Sequence, residues 1–169
     1  LTEGLAYDRC WVGVVTDSEP VAGLDAQLMT EPEHRYKILR TQVDVVVETG
    51  VAVLNATDDT VLSMSDLCDG DVILYAADGQ HPALLAHREA GKRVVFIHKN
   101  RIEFATGGEL THGFDLNADI SPAARALPAD VLLPAGRAAY AAAGNDVRFL
   151  LPCLHAMPRD ELRALLPQL

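Results

Sequence analysis

Carboxylates stand just past two apolar runs of this 169-residue chain, where buried strands of an α/β sheet would open onto a ligand. Asp17 follows the run Trp11-Val-Gly-Val-Val-Thr16 and could serve as an active-site carboxylate; with Ser18 and Pro20 beside it, it also suits a plain turn. Asp58-Asp59 follows Val51-Ala-Val-Leu-Asn55 and could hold a ribose or a magnesium ion. The plainer reading, an N-cap for the next helix, is the one favoured by these residues alone. Lys37 and Arg40 flank an apolar helical stripe, and their plain role is solvent-exposed pairing at i,i+4. Six histidines are present, and only His81 and His87 come near a metal-ligand spacing; surface positions around a helix start account for them better.

The elements that would position these groups follow from patterning. Trp11–Thr16, Val51–Asn55, Asp71–Tyr75 and Arg93–His98 are short β-rich runs, each read as a buried strand. Between them lie helical segments. One opens at Glu31-Pro32-Glu33 and carries Tyr36, Leu39, Val43 and Val46 as one stripe, with Thr49-Gly50 as its end. A second runs from the Thr57-Asp58-Asp59 cap through Cys68, and a third from Pro82 to Ala90 with Gly91 as its stop. Lys99-Asn100 turns the fourth strand into Arg101–Thr106, a hairpin expected at the sheet edge.

This alternation predicts an α/β fold: three layers, a largely parallel sheet of about four strands with flanking helices, an edge hairpin and a C-terminal helical segment. The division expected is 1–117 for the α/β region and 118–169 for an Ala/Leu-rich helical segment, with helices at 135–143 and 158–166.

Composition narrows the partners. Hydrophobic residues make up 49% and charged residues 22%, which suits a packed core. The net charge of −10 disfavours nucleic acid and anionic membrane surfaces. No run reaches the roughly 20 apolar residues of a membrane span. Cys10, Cys68 and Cys153 are widely spaced, so reduced, mostly buried thiols are expected. Leu-Thr-Glu-Gly has neither the basic start nor the apolar run of an export leader, and the expected location is cytoplasmic. The sequence contains neither GxxxxGK[ST] nor GxGxxG, so a self-contained nucleotide site is not encoded.

Several segments in order carry a resemblance. Leu5-Ala-Tyr-Asp-Arg-Cys-Trp-Val-Gly-Val-Val-Thr16, Lys37-Ile-Leu-Arg-Thr-Gln-Val-Asp44, Thr49-Gly-Val-Ala-Val-Leu-Asn55 and Cys68-Asp-Gly-Asp-Val-Ile-Leu74 resemble the Mur-ligase-like module of cyanophycin synthetase. The likeness spans about residues 3–108, with Thr111-His-Gly113 similar to a later short motif.

The resemblance implies an ATP-dependent amide ligase. Such a ligase activates a carboxylate as an acyl phosphate, and arginine then attacks it to form an amide on an aspartate side chain. It also implies ATP and magnesium as cofactors. By position, Lys37 matches the lysine carbamylated in several Mur-type ligases, and Asn55 matches a strand-end asparagine near the adenosine. Asp58 retains the second of two aspartates, and Asp17 replaces an asparagine. The family's Asp-His pair after the first strand is replaced by Pro20, Val21, Ala22 and Gly23, and its phosphate loop lies upstream of anything present.

The resemblance thus implies part of a ligase, inactive alone, completed by the rest of a longer polypeptide or by a homo-oligomer. Amino-acid or peptide substrate is implied in the same way. Two other readings stand beside it: a non-catalytic, degenerate Mur-like scaffold, and an unrelated α/β module binding a ligand around Asp17, Asn55 and Ala76. A sheet lacking neighbours on one side would need its edge covered, hence the expectation of dimerisation there.

Overall fold

A computed structural model describes residues 7–19, 31–99 and 101–115. In chain order the elements are β1 (Cys10–Val15), α1 (Pro32–Asp44), β2 (Val46–Asn55), α2 (Asp59–Leu62) with a 3-10 turn at Ser63–Leu67, β3 (Asp71–Asp78), α3 (Pro82–Glu89), β4 (Arg93–His98), β5 (Arg101–Thr106) and β6 (Glu109–Asp115). The six strands form one sheet in the order of the sequence. β1 to β4 are mutually parallel, and β5 and β6 return antiparallel. This is the expected α/β fold with a mostly parallel sheet.

Consecutive order has a direct consequence. Each parallel crossover is expected to be right-handed, so successive crossovers advancing in one direction deliver their helices to one face. The core reflects this. Val15, Ala52, Leu54, Val72, Leu74, Ala76, Val94, Phe96 and Ala105 from the sheet pack with Val43 of α1, Val61 of α2, Met64 and Leu84 of α3. Positions of the opposite parity, Val51, Val53, Ile73, Tyr75, Val95, Ile102 and Phe104, are buried as well. Strands apolar on both faces are the mark of a sheet covered on both sides. The described helices supply one of those covers. The third layer expected from the sequence, residues 118–169 and the helices expected at 135–143 and 158–166 fall outside the described residues.

Three expectations need correction. The first helix does not reach Thr49-Gly50: α1 ends at Asp44, Val45 caps it, and Val46 begins β2. Val45-Val46-Val47 is a β-branched triplet that favours extended backbone, and Cys10 pairs with Val46. The second helix is one α-turn continued as a 3-10 turn. The hairpin is not the edge either, because β6 pairs with β5 beyond it and carries Thr111 to Gly113.

One glycine sets how closely α1 lies on the sheet. A Cβ on Gly13 would run into the Gln42 carbonyl and the Val46 side chain. At the other end of the fold, Gly91 follows α3 with φ +76°, the left-handed cap conformation the sequence suggested.

Candidate functional site

The C-terminal ends of β1 and β2 are tied together by side chains. The Asn55 amide donates to the Thr16 carbonyl at 2.8 Å, and its oxygen accepts from the Thr57 N–H at 3.0 Å and the Thr57 hydroxyl at 2.8 Å. Asn55 is 6% exposed and is the one buried polar residue among those described. Three of its four hydrogen-bonding positions are spent holding one loop against the other.

Asp58 does the same from the next position. Its Oδ1 accepts from the Thr60 and Val61 N–H groups at 2.9 and 3.1 Å, the N-cap of α2. Its Oδ2 accepts from the Ser18 N–H at 2.7 Å, across from the β1 loop. Burial pushes the carboxyl up, but the hydrogen bonds from Val61, Ser18 and Thr60 together outweigh it and hold it below its ordinary 3.8.

Asp17 is exposed and accepts from the Thr16 hydroxyl at 2.8 Å. Tyr75, buried in the middle of β3, reaches the Thr16 carbonyl at a long 3.5 Å. Its phenol is pushed well above its usual range, by burial first and then by the charges of Asp17 and Asp58. Arg35 of α1 donates to the Ser18 carbonyl at 3.3 Å.

Lys37 stands apart from this hydrogen-bonded set but at the same end of the sheet. It is exposed on α1 and lines an open groove of about 330 Å³ with Pro32, Glu33, Tyr36 and Thr60. Thr60 is two residues from Asp58, so the groove borders the loop cluster. Arg40 makes the i,i+4 pair expected of that helix face, with Asp44 at 3.0 Å.

The structure therefore brings Asp17, Asn55 and Asp58 into one cluster and puts Lys37 on its margin. Sequence reasoning missed Ser18, Tyr75 and Arg35. Ser18 enters through its main chain, which no side-chain pattern reveals. Tyr75, a polar-tipped aromatic in an otherwise aliphatic run, was the available signal.

The cluster does not fit a magnesium ion. Both Asp58 oxygens face main-chain N–H donors, which leaves Asp17 as the carboxylate with room for a cation. No group of three or more His, Cys, Asp or Glu is placed to hold a metal among the described residues. His87 is half-buried and its Nε2 lies 3.0 Å from the Val72 carbonyl, away from His81 in role if not in sequence. His81 sits at the N-cap of α3 with its Nδ1 buried and unpartnered. Cys10 and Cys68 are free and partly buried, Cys68 against the core, while Cys153 lies outside the described residues. No described helix is long and apolar enough to cross a membrane.

Set against known proteins, the chain matches no family model and no curated sequence.

Proposed function

We propose that this chain is part of a Mur-ligase-like, ATP-dependent amide ligase module of the kind that joins arginine to aspartate side chains, and that it is inactive alone. The observation supporting this reading is the clustering of Asp17, Asn55 and Asp58 at the C-terminal ends of adjacent parallel strands, beside a groove lined by Lys37. Ligands of open α/β sheets bind at that end. ATP and magnesium belong to this reading only with the phosphate loop of a longer polypeptide, working in the cytoplasm. Within it, Asn55 and Asp58 position the loops, and Lys37 is the residue to which the resemblance gives a catalytic role.

A second reading has its own observation. Asn55 and Asp58 each make three hydrogen bonds within the chain, as expected of a scaffold whose ligand contacts have been lost.

The test compares the chain with the whole native polypeptide containing it. Phosphate release is followed with ATP, magnesium, an aspartate-rich peptide and arginine. The ligase reading expects turnover by the whole polypeptide and none by the chain. Turnover by the chain alone contradicts the division of labour, and silence from both leaves the scaffold.

A further inference from the structure

The two edges of the described sheet differ. β6 carries Glu109 and Asp115 in its sequence, charges of the kind that keep an edge from pairing. β1 reads Cys-Trp-Val-Gly-Val-Val, with no charge and no proline. Its main chain bonds β2 on one side and no described strand on the other. Trp11 on this strand is 68% exposed, the most exposed large hydrophobic residue among those described. A short, uncharged strand of high β propensity does not stay open in water; it is a template for another strand.

We propose that this edge is the contact between two copies of the chain, their β1 strands paired antiparallel about a two-fold axis at Gly13. Alternate residues of an edge strand turn their main-chain groups outward. Two copies can therefore pair only in registers centred on a residue. Centring on Gly13 sets Val12 opposite the partner's Val14 and Trp11 opposite the partner's Val15. It also sets Arg9 opposite the partner's Asp17, twice by symmetry.

Charge and apolar matching together select this register. Arg9 and Asp17 are both exposed and flank β1, one residue before it and two after, and neither makes an ion pair among the described residues. Centring one residue earlier leaves Arg9 opposite the partner's Val15 and the uncharged Tyr7 opposite the partner's Asp17. Centring one later pairs Arg9 with the partner's Glu19 but sets the apolar Trp11 against the partner's Asp17. Paired opposite charges on facing strands favour a register, and like charges oppose it. Because paired side chains share a face, both copies present their helices on the same side. α1 lies over β1 at Gly13, so the two α1 helices flank the axis and enlarge the contact. The pairing stands independently of any ligase activity.

Sedimentation velocity on the full 169-residue chain tests it, with Arg9→Glu, Asp17→Arg and the combined exchange. Twice the chain mass is expected at micromolar concentration. Each single reversal should weaken the dimer by roughly tenfold, and the exchange should return it to within about threefold of the parent. Trp11 is the only tryptophan, so its emission should shift to the blue as the dimer forms. A chain that stays monomeric overturns the proposal, because its edge is then closed within itself. A dimer indifferent to the single reversals, one not rescued by the exchange, or one whose tryptophan emission is unchanged overturns it equally.

Discussion

Asp58 joins three main-chain N–H groups from two segments of the chain, Thr60 and Val61 in α2 and Ser18 beyond β1. An N-cap alone is worth about 1 kcal/mol, and here the same carboxylate also fixes the neighbouring loop. Asp58→Ala should cost about 1–2 kcal/mol in urea unfolding, with Asp58→Asn costing less because one acceptor oxygen survives. A loss indistinguishable from zero for both would mean that these bonds do not hold the loops. The cap was legible in the sequence, since Thr57-Asp58-Asp59 precedes an apolar helical pattern. The bond to Ser18 was not, because it depends on the register between β1 and β2 rather than on any local pattern. The contact of Tyr75 with Thr16 was hidden for the same reason: it crosses β2 and needs three strands in place.

Among the elements, the four parallel strands announced themselves through continuous β-branched runs, and the β4–β5 hairpin through alternation. The α1–β2 boundary did not, because Val46 continues the helical stripe of Tyr36, Leu39 and Val43 and is buried in either conformation. Periodicity fails where a residue satisfies two patterns at once. β6 lacks a β-branched run, and only its pairing with β5 makes it a strand. The contact between α1 and β1 offers a sharp test of packing. Gly13→Ala pushes a methyl group against the Gln42 carbonyl, and backbone cannot step aside as a side chain can. Thermal or urea unfolding should show a loss of about 1–3 kcal/mol. Gly108→Ala, where nothing lies within 4 Å of the added carbon, should be close to neutral. Equal effects at both positions would refute the close approach of helix to sheet.

At the scale of the whole molecule, stability should respond to pH in two windows. Burial is the largest influence on His87 and holds its pKa below the ordinary 6.5; the Lys92 charge acts the same way, while the Val72 carbonyl and Asp71 oppose it. The unfolded chain therefore takes up a proton that the folded chain refuses, so stability is full above pH 6.5 and declines as pH falls below it. Asp58 adds a second decline below about pH 4, where the unfolded carboxyl protonates before the folded one. Denaturant midpoints across pH 7.5 to 5 should fall for the parent and stay flatter for His87→Gln; parallel curves would exclude His87 as the source.

The consecutive strand order also sets a timetable for assembly. Val94 pairs with Ala105, Ile73 with Arg93, Val53 with Ile73 and Val12 with Val51, so the separation is 11 residues at the hairpin, 20 at each of the next two pairings and 39 at β1. Longer closures cost more entropy and come later. The β4–β5–β6 meander can form almost as it is made, β3 and β2 can dock on it in turn, and β1 arrives last. Thr16 and Asp17 ride on that last strand. The loop cluster at the end of β1 and β2 is thus the final part of the fold to be completed, and the first to be lost when the sheet opens from its β1 side.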